Sequence, residues 1–227
     1  MVYIAAFDPG RKNFAYCVER FQDDVLTELE IPDQKYNSNG TPTDSMQNIL
    51  DILYTTGEVI DFDNINLLKS GQKAGNTIDQ EVFNTLTQEL NKRKEIWDKC
   101  DRFLIETQMS FGSNKNIPAL KIAQHVYSYF VIQYGLDKVI SDFPAYLKTQ
   151  YLGAQKDAKK YKNGKVKFTA MSKPQRKKWA IQQAEHILEL RQDDSKLKEL
   201  FLYKKRDDVS DCLLMCQAGK IYYYLEK

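Results

Sequence analysis

The chain has 227 residues, 42% of them hydrophobic and 12% aromatic, which suits a folded domain with a substantial core and excludes an intrinsically disordered chain. No apolar run approaches the ~20 residues that cross a bilayer, so no membrane partner is expected. Net charge is only +2, but residues 156–178 carry ten Lys/Arg against the single acid Asp157, leaving −7 on the rest of the chain. A chain polarised in this way can meet phosphates at one patch and gather carboxylates at another.

The opening VYIAAFD is a continuous apolar run, as in a strand buried on both faces. Pro9 and Gly10 punctuate a turn, FAYCVERF predicts a second strand and DVLTELEI a third, an antiparallel meander. Residues 33–80 are rich in Asn, Asp, Ser, Thr and Gly, and read as an insertion carrying one or two helices. The spacing of Val82, Phe83, Leu86, Leu90, Ile96 and Trp97 predicts an amphipathic helix over 79–99, followed by a buried strand centred on RFLIE. Asn116 as cap, Pro118 in the first turn and Gly135 after the last bound a helix over 118–134. KVISDF predicts a short strand, PAYLKTQYLG a helix, 174–192 another helix, and 208–225 a last one. The sum is an α/β domain with a mixed sheet.

Two carboxylates close the two strongest strands, Asp8 after VYIAAF and Glu106 after RFLI. If those strands are neighbours, the two acids converge at one edge of the sheet. Facing carboxylates with no cation between them would be costly, although each alone could be an ordinary solvated strand end. In KKRDDVSDCLL, Asp208 and Asp211 are i and i+3, on one face of the helix start, where Asp207 could replace Asp208 or one of the pair could serve as an N-cap. Four oxygen ligands with no His or Cys suit Mg²⁺, with Mn²⁺ able to substitute; two such ions can drive phosphodiester hydrolysis. The basic segment would then hold the backbone. Cys17, Cys100, Cys212 and Cys216 form no C-x-x-C pair, and with two histidines no zinc spacing arises; they are expected to be buried thiols.

Four motifs in order carry a resemblance: FDPGRKNFAY with Asp8, Gly10 and Asn13; IETQ at 105–108; PAYLKTQYLG; and KKRDDVSDCLL. The chain resembles the RuvC-type Holliday junction resolvases, in their poxviral and fungal mitochondrial branch, over nearly its whole length except 33–80. The resemblance implies a single RNase H-like domain, a mixed sheet flanked by helices, over 1–227. It also implies a homodimer, for which helix 118–134 is the candidate interface, and paired symmetric nicks in four-way or branched DNA. By position it makes Asp8, Glu106, Asp208 and Asp211 the catalytic metal ligands of two Mg²⁺ per site. Gln108 matches the glutamine after the glutamate and is expected among the DNA contacts. It further implies a lysine on the scissile phosphate, with Lys173, Lys177 and Lys148 as candidates and Lys173 the residue assigned to catalysis. Lys165, Lys167, Arg176 and Lys178 complete the expected DNA contacts.

Other readings stand beside this one. A related nuclease could act on other branched DNA or an RNA/DNA hybrid. A non-catalytic DNA-binding module would more naturally have lost a carboxylate. A sugar kinase or actin-like ATPase shares the overall fold but needs glycine-rich phosphate and adenosine loops, which ten glycines do not supply here. The N-terminus lacks the basic and apolar regions of a signal peptide, so the mature protein is expected to begin at Met1 and stay inside a cell. A viral factory in host cytoplasm or a mitochondrion would fit the resemblance.

Overall fold

A computed structural model describes residues 1–69, 71, 79–108, 115–161 and 163–226. Part of the 33–80 segment and Lys162 of the basic segment lie outside the described residues.

β1 (Val2–Asp8) and β2 (Phe14–Phe21) form the expected antiparallel pair, registered from Val2 opposite Phe21 to Asp8 opposite Ala15. The third strand of the meander is not DVLTELEI. Asp23–Thr27 is instead a short helix, α1, with Asp23 and Asp24 in its first turn, where acids suit the helix dipole. The strand that pairs with β2 comes from inside the 33–80 segment: α2 (Asp44–Thr55) is followed by β3 (Gly57–Ile65). α3 (Gln80–Lys92) and α4 (Lys94–Trp97) realise the predicted amphipathic helix with a break at Arg93; the Asp79 side chain accepts from Val82 N and caps α3.

β4 (Arg102–Glu106) lies parallel to β1, with Phe7 opposite Ile105. α5 (Ile117–Tyr134) has the expected limits: Asn116 Oδ1 accepts from Ala119 N at 3.3 Å, and Gly135 follows at φ +57°. β5 (Val139–Phe143) pairs parallel with β4, giving the sheet order β3-β2-β1-β4-β5. α6 (Ala145–Tyr151) comes next. The basic segment opens with a separate antiparallel hairpin, β6 (Asp157–Lys160) and β7 (Val166–Thr169). α7 (Lys173–Leu190), α8 (Asp194–Leu202) and α9 (Arg206–Lys220) complete the chain, with a π-helical turn over Ile221–Leu225.

Alternation along β1 divides the core into two layers. Ala5 and Phe7 face an aromatic layer with Trp97, Phe103 and Phe130, where the rings of Phe103 and Phe130 stack at 4.1 Å. Ile4 and Ala6 face the layer built from α2, α7 and α9. α9 meets the sheet through Gly219: a Cβ there would lie 2.6 Å from Leu104 Cδ1 and 2.8 Å from Ile4 Cδ1. The result is a mixed sheet between two helical layers, as the sequence implies.

Candidate active site

β1 and β4 run parallel and end together, so Asp8 and Glu106 emerge side by side at the carboxyl edge of the sheet. The two carboxyl groups act on each other's titration there. α9 brings Asp211 to the same place, and a cation from α6 joins all three. Lys148 Nζ lies 2.8 Å from Glu106 Oε1 and 3.2 Å from Asp211 Oδ1, with its side chain 6% exposed. Burial alone would neutralise this lysine, but Asp211, Glu106 and Asp8 outweigh it and push its pKa upward, so the ammonium persists.

The carboxylates respond unequally. Burial, then the negative charge of Glu106, drives the Asp8 pKa well above the ordinary range against the pull of Lys148; Asp211 and Asp208 add to the rise. Asp211 is raised chiefly by burial as well. Burial also acts upward on Glu106, but Lys148 and the hydrogen bonds from Lys148, Asp8 and Gln108 hold it below its usual value. Gln108 Nε2 donates to Glu106 Oε2 at 3.3 Å, which orients that carboxylate.

Asp207 and Asp208 part company. Asp207 pairs with Lys177 of α7, and that contact together with the lysine's charge lowers its pKa against burial. Asp208 is buried, raised by that burial and by Asp207, and lies 3.5 Å from Asn64 Nδ2 of β3. Asp8 feels Asp208 electrostatically, whereas Asp207 acts on Asp211. Of the three candidate lysines, Lys148 joins the carboxylates, Lys177 holds Asp207, and Lys173 stands exposed at the start of α7. Lys165 and Lys167 are exposed on the hairpin, and Arg176 and Lys178 are exposed on α7.

Sequence reasoning missed a second cationic element. A cavity of about 340 Å³ beside Asn64 is lined by Lys12, Asn13, Tyr203, Lys204 and Lys205. Its signal was present in the lysines flanking the turn after Asp8 and the motif around Asp208, both read only for their acids.

The donor set fits a hard divalent cation. Glu106 and Asp211 share one ammonium, Asp8 and Asp211 beside it are pushed toward protonation, and the carboxyl groups offer oxygen ligands. Among the described residues no three His, Cys, Asp or Glu stand at metal-binding spacing; Lys148 sits between Glu106 and Asp211. The four cysteines are free and buried, and burial pushes the Cys100 thiol up to about 12, away from reactive chemistry.

Comparison with solved structures defines the fold. The chain superposes on the fowlpox virus resolvase in complex with its substrate Holliday junction DNA, with a TM-score of 0.56 at 16% identity over the whole of both chains. On Thermus thermophilus RuvC the TM-score is 0.54 at 11% identity, covering 99% of this chain and 96% of that one. The fold is that of the RuvC-like resolvases.

Among curated sequences, no family model matches. Uncharacterized protein 170L of Invertebrate iridescent virus 6 is 35% identical over 237 aligned positions, covering all of this chain and 92% of that protein. Uncharacterized protein 97L of Invertebrate iridescent virus 3 is 30% identical, covering 95% and 98%. The chain belongs to the family of these iridovirus proteins. Among the described residues no helix is long and apolar enough to cross a membrane.

Proposed function

We propose that this protein is a divalent-metal-dependent endonuclease that resolves four-way DNA junctions by paired nicks. The observation that carries the reading is the meeting of Asp8, Glu106 and Asp211 around Lys148 at the carboxyl end of the two central parallel strands, with Asp208 alongside. Asp8, Glu106, Asp208 and Asp211 would hold two Mg²⁺, which supply activation of a water and stabilisation of the leaving oxygen of a phosphodiester. Lys148 stays protonated and turns from its carboxylate partners to a non-bridging oxygen of the scissile phosphate. Gln108 keeps Glu106 oriented, and the Lys177 to Asp207 pair fixes the start of α9. The exposed lysines of β6–β7, with Lys173, Arg176 and Lys178, bind flanking phosphates.

Paired nicks need two such sites, and α5 offers the surface for a homodimer. Its ring face is spent within the chain: Phe130 is fully buried, and Tyr134 stacks on Phe103 and donates to Asp98. Ile132 (79% exposed) and Leu136 remain outward, with Val131 beside them. The viral origin of the relatives supports action inside an infected cell. A nicking assay with Mg²⁺ on four-way, flap, hybrid and linear substrates tests the reading. Symmetric cutting of the junction supports it; equal cutting of all substrates would leave a nuclease of broader substrate range, and no cutting would remove the activity.

A further inference from the structure

The first part of the 33–80 segment has no role in the chemistry derived above, yet it is fixed firmly beside it. Lys156 N donates to Asn39 O at 2.7 Å, and Tyr36 Oη donates to Tyr151 O at 2.6 Å. Gly153, at φ +69°, packs so closely on Pro42 that a Cβ would lie 2.5 Å from its Cδ. Between this wall, α6 and the root of the β6–β7 hairpin lies a groove of about 430 Å³.

The groove's chemistry is that of a nucleotide site. Tyr146 of α6, 61% exposed, presents an aromatic ring, and Met171 lies half-buried in the lining. Gln150 contributes an amide able to pair with a base edge, Asn37, whose Nδ2 donates to Thr41 Oγ1 and Pro42 O, contributes its Oδ1 as an acceptor, and Lys156 and Arg176 contribute charge for a phosphate. Position relative to the carboxylates sets how far a strand must reach. At about 100° per residue, Tyr146 and Lys148 lie on nearly opposite sides of α6. Lys148 reaches into the carboxylate cluster while Tyr146 and Gln150 line the groove. A strand whose phosphate meets Lys148 has to round α6, roughly 10 Å across with its side chains, to bring a base into the groove. The hairpin rising from the groove carries Lys159, Lys160, Lys165 and Lys167, so the surface continues as a path for a polyanion.

We propose that this groove receives one nucleotide of the DNA strand next to the scissile phosphate, its base unstacked and laid on Tyr146. This rests on the nuclease reading and gives the 33–43 wall a purpose: it makes cleavage sensitive to the base beside the nick. At a branch point the cost of unstacking is lowest, which favours a junction over continuous duplex.

The test uses four-way junctions carrying 2-aminopurine, or an abasic residue, at each position flanking the nick. Metal-free binding by the wild-type protein should change 2-aminopurine fluorescence at one position. Tyr146→Ala should abolish that change and weaken binding to the intact junction about tenfold, while Tyr146→Phe retains both. On the junction abasic at that position, wild type and Tyr146→Ala should bind alike. Equal binding of intact and abasic junctions by wild type at every position, or wild-type affinity in Tyr146→Ala, overturns the proposal. A protein that shows the fluorescence change but never nicks would sink the nuclease reading and leave the groove standing. One that binds no junction overturns both.

Discussion

At one end of α9, Asp211 shares the Lys148 ammonium with Glu106, and Asp8 and Asp208 add their charge beside them. At the other end, one carboxylate, Glu19 of β2, meets Lys220 and Arg191, and Gln217 donates to its second oxygen. Glu19 and Lys220 are wholly buried. Both clusters are ionic and both sit on the same helix, but their charge ratios are inverted. At the Glu19 end each oxygen has a partner, and the cations hold that carboxyl below its usual pKa in spite of burial. At the Asp8 end negative charge is in excess, and Asp8, Asp208 and Asp211 all titrate above their ordinary values. A carboxylate whose pKa is lowered adds to the stability of the fold, whereas a cluster in which several are raised suits the divalent cation proposed for it.

The largest contrast should appear in activity. Asp8→Asn or Glu106→Gln is expected to reduce junction nicking to background while junction binding is kept or strengthened, because a charge facing phosphates is removed. Loss of binding together with loss of folding, by gel shift and circular dichroism, would make these residues structural instead. Glu19→Gln should do the reverse: it leaves Lys220 and Arg191 buried without a counter-charge and costs about 3–5 kcal/mol of stability in urea titrations. Unchanged stability there would erase the distinction between the two ends.

Lys148→Met removes the ammonium bonded to Glu106 and Asp211. It should lower the melting temperature of the metal-free protein and make the rise on adding Mg²⁺ steeper; an unaltered metal-free melting temperature would show that the lysine is not holding the acids together. Acidity separates the two ends as well. Groups with raised folded pKa values keep protons that the unfolded chain has already lost, so their contribution to stability falls as pH climbs from the ordinary carboxylate value through the folded one. Glu19 behaves oppositely: its stabilisation is present above the ordinary value and is lost as pH falls through its lowered one. Melting in EDTA should therefore show a gain on mild acidification from neutrality, and Asp8→Asn should flatten it.

The smallest effect concerns the hairpin. Reversing charge at Lys165 and Lys167 should weaken junction binding and reduce the salt slope by roughly one for each phosphate that is no longer neutralised. A slope identical to wild type would take β6–β7 out of the interface.

How far the sequence spoke depended on burial. β1 and β4 were legible because both faces are covered and their residues are almost all apolar, and α5 because Asn116, Pro118 and Gly135 mark its limits. β3 was hidden: as an edge strand it buries only Val59 and Phe62 and carries Glu58, Asp61 and Asp63, so it reads as polar loop. The hairpin DAKK and VKFT is exposed and reads as charge, for the same reason. Asp8 and Glu106 could be found because each follows an apolar run. Lys148 could not be separated from Lys173 and Lys177, since spacing does not say which way a short helix faces. Glu19 escaped notice altogether, although its same-face neighbours Cys17 and Phe21 belong to the buried layer over α9.

The close approach at Gly219 gives α9 the character of a keel laid flush on the sheet. A methyl group at that position would press on the side-chain ends of Ile4 and Leu104, which would have to turn aside or let the helix shift. Asp208 stands eleven residues earlier, roughly 16 Å along the axis at 1.5 Å per residue. A rigid helix tilted at one end moves at the other, so tolerance to substitution here is governed by alignment of a distant carboxylate as much as by local volume. In a library selected for nicking, Gly219 should therefore admit alanine less readily than in a library selected for folding alone.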